Sequence, residues 1–529
     1  MGRATAVTED AASEVIVVGA GPAGITAAET LARRGAAVTI VDAGDGPVTP
    51  PGFPDGDSSA GMPLPPASLD AFRRARATHD PNVSPKFATD TARRIGGGFA
   101  ETNVVGTDNF HLFGALGGGG LSAIWGGLTA PFDEDDLRAF PFSARDLKHS
   151  YAEVARRIGI SGGASDVIPG RLTDGLDLQP PLELHPTQKG IADRYLRRRG
   201  RIAGRGVKIG APLQAVLTRD LGIRRACDYR GACLYGCANG AIYNAAFAIP
   251  GLARLPNVRY RPGIAVQRLI REGLDWHLET TGGRLTARTV VLAAGTIATT
   301  RLFLASALAP GRRVRILHNP VFAAGCLVPS RIGARSTERS FGMAQLALEI
   351  DMSDAGTKNA YGLLYSMTGL GIADLVEHMP FSTGTSVRVL AAIREALVPV
   401  TCFFPGSASD THAEITADGR LEITGGYDAA LDTLIGVARR RLFGALRRLG
   451  AYYLPGSLTV GRPGADLHYA GTLPMGQATD DACRVVGTDG LYVVDGSVFP
   501  ELPARPCTFT IMAIADRAMR MMPLAGDRE

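Results

Sequence analysis

The sequence is first informative for what it lacks. No run reaches the roughly 18 consecutive apolar residues that a membrane-crossing helix needs. The opening stretch MGRATAVTEDAASE carries acidic side chains and no apolar core, so it does not read as a secretory leader. Cysteine is scarce, with 7 unevenly spaced residues in 529, which suits a reducing compartment better than a disulfide framework. These absences together predict a cytoplasmic protein without a membrane span. Charge of one sign is also missing: 56 Lys and Arg face 51 Asp and Glu, a formal balance of +5. The one basic cluster, RYLRRRGRIAGR at 194–205, has no interleaved aromatic residues and reads as a solvated helix face. Nucleic acid is therefore not an expected partner.

What is present is a large apolar core. Hydrophobic residues make up 45% and charged residues 20%, ordinary values for a globular chain long enough for two or three domains. The most informative segment is SEVIVVGAGPAGITAAETLARRGAAVTIVDAG at 13–44. A short β-branched run reads as a buried parallel strand. It enters a turn with Gly19, Gly21 and Gly24 spaced as GxGxxG, then a helix stopped by Gly35, then a second strand ending at Asp42. Gly19 permits the tight turn, Gly21 lets backbone approach a pyrophosphate, and Gly24 lets helix and strand pack closely. The helix N-terminus offers free N–H groups and a positive dipole end, and Asp42 falls where a carboxylate accepts from an adenosine ribose.

Further along, the Pro- and Gly-rich stretch 45–68 reads as a long surface excursion of the lid or binding-loop kind. Four consecutive glycines, Gly117 to Gly120, imply backbone packed tightly against something flat or phosphorylated, with Trp125 as part of a pocket wall. The run TVVLAAG ending at Ala294 and Gly295, followed by Thr296 and a helix, makes a second strand–glycine–helix junction aimed at the same cofactor. From about 310 to 460 the segments RVRILHNPVF, MAQLALEIDM, TCFFPG and AEITADGRLEIT read as antiparallel sheet. The helical runs LVEHMPF and ALDTLIGVARRRLFGALRRLG lie beside it. No internal repeat is found.

The pieces VVGAGPAG (17–24), GGGGLSAIWGG (117–127), VVLAAGTI (290–297), HYAGTLPMG (468–476), LYVVDGSVFPELP (491–503) and TFTIMAIADRAMR (508–520), in this order, resemble the glucose–methanol–choline (GMC) oxidoreductases. That resemblance implies an α/β, two-domain body. A Rossmann-like FAD-binding domain would be assembled from 12–160, 200–310 and 462–525, with a substrate domain of 161–199 and 311–461 built on an antiparallel sheet. It implies noncovalent FAD, because relatives that tether the flavin use a histidine missing from 114–137. Gly19, Gly21 and Gly24 would sit at the pyrophosphate and Asp42 at the ribose, with Val266 in the strand whose backbone contacts the adenine. Gly119, Gly120, Ser122 and Trp125 would run along the flavin, and Asp495 and Gly496 would form a second pyrophosphate and ribityl contact. A tryptophan at 125 resembles the pyranose-oxidising branch, which points toward a carbohydrate-like substrate.

Oxidising an alcohol to a carbonyl needs a base for the hydroxyl proton while hydride moves from carbon to flavin, and histidine suits that role near neutrality. His468 matches the family's catalytic histidine. Its usual partner, His or Asn, falls at Pro506, which has neither donor nor titratable group. Three replacements stay open: the guanidinium of Arg505, the thiol of Cys507, or a group from His318-Asn319 or Asp410-Thr411-His412. Cys227, Cys233 and Cys237 are spaced C-x5-C-x3-C, unlike the compact pairs of a zinc or iron–sulfur site, and read as a turn lining the FAD domain; no metal is expected. The leading expectation is a GMC-type FAD-dependent alcohol dehydrogenase or oxidase acting on a hydroxylated small molecule such as a sugar, glycoside or natural-product intermediate. Oxygen or an unidentified electron acceptor would reoxidise the flavin. A redox-neutral lyase or cyclase, and a non-catalytic FAD-stabilised binding protein, are the alternatives that Pro506 raises.

Overall fold

The computed structural model describes residues 13–49, 87, 89–163, 173–308, 311–335, 337, 339–367 and 381–524. Most of the 45–68 excursion, and the expected helix LVEHMPF apart from its last residue, lie outside them.

The β-branched run Ser13–Val18 forms a strand whose last four residues are buried, and it lies parallel to Val38–Val41 and to the end of Gly283–Leu292. Val258–Arg261 extends the parallel set beyond Val38–Val41, and Leu491–Val493 adds to the other side of Gly283–Leu292. Strands buried on both faces need continuous apolar side chains, and the VIVV and VTIV runs supply them. Val266–Glu272, Asp275–Thr280 and the first half of Gly283–Leu292 add an antiparallel meander, completing a seven-stranded mixed sheet. Helices Pro22–Arg33, Ala144–Ile158 and Thr508–Met521 pack together against this layer. A buried ion network secures them: Asp516 takes Arg157 at 2.6 Å and the Thr30 hydroxyl at 2.7 Å.

The second layer is a seven-stranded sheet whose described pairings are all antiparallel, built around Val321–Leu327, Leu397–Phe403, Ala360–Tyr365, Ala344–Ile350 and Val207–Gly210. Helices Pro186–Ala203 and Leu431–Arg448 cover one of its faces and share a core with it. The sequence-derived boundaries shift in two places. Val207–Gly210, assigned to the FAD domain, pairs with Ala344–Ile350 because Val207 and Ile209 bury their side chains in the second core. Arg313–Ile316, Thr411–Ile415 and Leu421–Thr424, read as part of the substrate sheet, instead form a small sheet with Val105–Asp108. Ile316, Ala413, Ile415, Leu421 and Ile423 point into the first core, so that sheet belongs with the first layer. Strand identity follows from local pattern, whereas the choice of sheet depends on which core the apolar face meets.

Candidate active site

A cavity with about 1780 Å³ of atom-free space, part of it open to solvent, runs between the two layers. Gly19 and Asp42 lie at one end, and His468 and Phe403 at the other.

At the first end Gly24 meets the strand as its spacing predicts: a Cβ there would stand 1.9 Å from the Gly19 carbonyl oxygen. The four-glycine run packs on this turn, with the Gly119 N–H donating to the Ala20 carbonyl at 2.8 Å and Gly120 lying next to Gly21. The tight packing inferred for the run is thus backbone on backbone. Asp42 accepts from the Ala20 and Gly44 amides at 2.9 and 3.0 Å and also from Gly117. Burial nevertheless pushes its carboxyl above the usual range. Of the roughly four acceptor positions of a carboxylate, three are taken, which leaves capacity for one ribose hydroxyl.

Two helix N-termini open on the middle of the cavity. Gly21 caps Pro22–Arg33 and Gly295 caps Thr296–Ala305, and neither helix has a side-chain cap. A Cβ at Gly295 would meet nothing within 4 Å, and one at Gly21 would meet only Gly120 at 3.9 Å, so space stands in front of both. Two uncapped N-termini with open space before them suit a pyrophosphate, and a ribose-accepting carboxylate beyond them suits the adenosine half. These residues fit FAD. Asp495 plays an indirect part. Its carboxylate accepts from the Gly295 amide (3.0 Å), the Thr299 hydroxyl (2.5 Å), and the Ser497 amide and hydroxyl (3.0 and 2.6 Å). Asp495 therefore shapes the loop that presents Gly496 and Gly295 to the cavity.

Ser122 and Trp125 line the cavity, but their polar atoms are already engaged. The Ser122 hydroxyl donates to the Gly119 carbonyl and accepts from the Ala245 amide, and the Trp125 indole N–H donates to the Tyr243 carbonyl. Asn244, not singled out from the sequence, braces this wall by joining Val48 and Ala246. Three expected cofactor residues, Gly24, Gly119 and Val266, do not line the cavity. Gly24 is buried where helix meets strand. Val266 packs against the first core, and it is Ile264, two residues earlier, whose amide bonds the Asp42 carbonyl.

At the other end, His468 follows Leu467, whose φ of +64° is a left-handed conformation that a branched residue adopts only when its surroundings enforce it. Asp466 enforces it. One of its carboxylate oxygens accepts from the amides of His468 (2.9 Å) and Asn319 (3.0 Å), and the other meets His318 Nδ1 at 3.1 Å. Burial works against this charge, but the contacts with His318 and His468 hold the carboxyl below its usual range. The imidazole of His468 is fixed by Asn319, whose Oδ1 lies 3.0 Å from His468 Nδ1. Asn319 Nδ2 donates to the carbonyls of Phe404 (2.8 Å) and Pro503 (3.1 Å), and neither of these can donate in return. The amide orientation is therefore determined: Oδ1 faces His468, so Nδ1 must carry the proton and Nε2 holds the lone pair in the neutral ring.

Of the three replacements for the missing partner, the first is engaged elsewhere. Arg505 is 6% exposed and paired with Asp133 (2.9 Å) and Asp136 (2.5 Å), with Glu349 at 3.6 Å, so it is not available to the cavity. Cys507 lines the cavity beside Pro506, and burial pushes its thiol up to about 12, so it stands there as a protonated S–H, a weak donor and not a base. The third is met in altered form. Asn319 reaches the site as the residue that orients His468, and His318 braces Asp466. Asp410 and His412 face each other at the surface, and only Thr411 reaches inward, to His318. Cys227, Cys233 and Cys237 are free, with burial raising all three thiols, and their loop packs behind Trp125 and Met343. Among the described residues no group of three His, Cys, Asp or Glu could hold a metal, and no helix is long and apolar enough to cross a membrane.

Comparison with known proteins agrees with this arrangement. Residues 462–515, which contain His468 and Pro506, match the C-terminal family model described as GMC oxidoreductase, and residues 13–64 match the pyridine nucleotide-disulphide oxidoreductase model. An uncharacterized GMC-type oxidoreductase from the thcA 5' region of Rhodococcus erythropolis is 39% identical over 72 residues, which span 12% of this chain and 14% of that relative. The crystal structure of pyridoxine 4-oxidase from Mesorbium loti superposes over 96% of this chain and 98% of its own, with a TM-score of 0.58 and 15% identity, a likeness of fold.

Proposed function

We propose that this chain, whose C-terminal segment is that of a GMC oxidoreductase, is an FAD-dependent alcohol oxidoreductase that converts a hydroxyl-bearing carbon of a small molecule to a carbonyl. The observation that carries the reading is the single tautomer open to His468. With Nδ1–H committed to Asn319, Nε2 is the acceptor nitrogen of a side chain that lines the cavity. Gly19, Gly21 and Gly295 with their two helix N-termini, Asp42 and Gly496 would hold the FAD noncovalently. When bound, FAD supplies a two-electron acceptor for the hydrogen on the carbinol carbon.

The chain's own residues do the rest. His468 Nε2 takes the hydroxyl proton, the O–H electron pair becomes the second carbon–oxygen bond, and the carbinol hydrogen leaves with its electron pair. The ionised Asp466, whose carboxylate senses the charge of His468, favours the imidazolium that results. Pro506 contributes shape alone, so the proton acceptor we assign at this end is His468. Dioxygen or an electron carrier then removes the two electrons to complete the cycle.

Anaerobic mixing of the holoenzyme with candidate alcohols tests the reading through loss of the visible flavin band. His468→Ala is expected to slow that loss by about 10²- to 10⁴-fold, the usual contribution of a general base. An unchanged rate would overturn the assignment, and product formed without loss of the flavin band would favour a redox-neutral reaction.

A further inference from the structure

The geometry points to the substrate class: we propose that the site takes an uncharged alcohol with an aromatic or similarly flat apolar body, selected by Tyr361, Leu363, Tyr365 and Phe403. This rests on the oxidation proposed above and narrows it.

Strand Ala360–Tyr365 reads AYGLLY, and its alternation divides the side chains cleanly. Ala360 and Leu364 enter the second core, whereas Tyr361, Leu363 and Tyr365 face the cavity. On the neighbouring strand Phe403 lies directly opposite Tyr361 and lines the same space. The Phe403 ring is centred 5.7 Å from that of His468 and tilted by 33°, so the apolar wall stands beside the base itself. Leu128, Met343 and Trp125 also line this end of the cavity.

Polar capacity on this wall is small. Among the described lining residues the carboxylates are Asp42, Asp466 and Asp495, and each already accepts protein hydrogens. No described Lys, Arg, Asp or Glu of the second sheet lines the cavity, and the Trp125 N–H is spent on Tyr243. Tyr365 is a neutral phenol, its acidity suppressed by burial, and stands 3.4 Å from the Thr401 hydroxyl. A sugar would bring several hydroxyls to this wall, and each one buried without a partner weakens binding by about one to two orders of magnitude. An aromatic alcohol brings one hydroxyl, which His468 accepts from, and a flat face that packs against Phe403 and Tyr361. The tryptophan at 125 therefore works as an apolar wall, and the sugar-like expectation loses its physical support.

The test uses the holoenzyme in two assays. Benzyl alcohol and glucose are compared for anaerobic loss of the flavin band. Benzyl methyl ether, which has no hydroxyl to oxidise, is titrated against intrinsic fluorescence, since the chain has 2 tryptophans and only Trp125 lines the cavity. Trp125→Phe serves as the control for that signal. The expected result is reduction by benzyl alcohol in preference to glucose, and quenching by the ether. Phe403→Leu should raise KM for benzyl alcohol about two- to twelvefold, the worth of one aromatic pair, with kcat little changed. Preference for glucose, or failure of the ether to bind, would overturn the substrate class while leaving alcohol oxidation intact. Ether binding with no reduction by either alcohol would support the apolar wall and count against oxidation.

Discussion

Replacing Asn319 by leucine, of nearly the same shape, removes the acceptor at Oδ1 that holds the His468 proton on Nδ1. In the parent, Nδ1–H donates to Oδ1 at 3.0 Å, and the amide cannot turn because two carbonyls hold its nitrogen. In Asn319→Leu a part-buried N–H loses this acceptor, a penalty of about 1–3 kcal/mol. The other tautomer, with the proton on Nε2, escapes that penalty but cannot accept the substrate's proton. The tautomer balance therefore shifts against catalysis by the same amount, which at about 1.4 kcal/mol per tenfold is a loss of about 5- to 150-fold in the rate of flavin reduction. The assay is stopped-flow reduction under anaerobic conditions at saturating substrate, repeated across pH. A tautomer balance in the neutral ring does not depend on pH, so raising the pH should not restore the rate. A variant that folds and reduces its flavin at the parental rate would refute the lock. Recovery of the rate at high pH would show that Asn319 tunes the histidine's basicity instead of its tautomer.

Three further outcomes are expected. Gly24→Val places side-chain atoms against the Gly19 carbonyl, where even a Cβ would stand at 1.9 Å, so the purified protein should carry little FAD as read from the ratio of flavin to protein absorbance. Arg505→Met removes the cation paired with buried Asp136 and half-buried Asp133 and should lower unfolding stability by about 3–5 kcal/mol in a denaturant titration. His185 caps helix Pro186–Ala203 by accepting the Thr187 amide at Nδ1, and burial lowers its pKa from 6.5 although Glu395 pulls the other way. The folded state then binds fewer protons than the unfolded one, so stability rises with pH through the window below about 6.5 and is lost on acidification through it. The midpoint of thermal unfolding should fall accordingly, and His185→Asn, which retains a cap, should flatten that dependence.

The nucleotide end was legible because its signals are local. The spacing of Gly19, Gly21 and Gly24, the β-branched runs on either side and the position of Asp42 all lie within 13–44, and the structure builds the strand, turn, helix and second strand in that order. His468 could be named as a candidate for a similar reason, since its motif is continuous and carries its own turn. Asn319 was named among several candidates and could not be separated from Asp410 or His412, because nothing in a sequence measures a distance across 149 positions. Arg505 looked available beside Pro506. Its engagement depends on Asp133, Asp136 and Glu349, which come from remote segments. The strand Ala360–Tyr365 was not among the segments read from the sequence, and its nearly continuous apolar run, buried at all but its last residue, does not tell which face meets the cavity.

By itself, then, the sequence determined the chemistry on offer: a glycine turn shaped for a pyrophosphate, one histidine able to act as a base, and a proline where a second polar group would stand. Those properties reside in covalent structure and in backbone preferences over a few neighbouring residues. Only the tertiary structure decided how the groups act. It fixed the tautomer of His468 through Asn319, withdrew Arg505 into a cage of carboxylates, and turned Tyr361, Leu363, Tyr365 and Phe403 toward the cavity. Each outcome depends on the partners that a buried polar or apolar group meets once water is excluded, and those partners are chosen by packing between segments far apart in the chain.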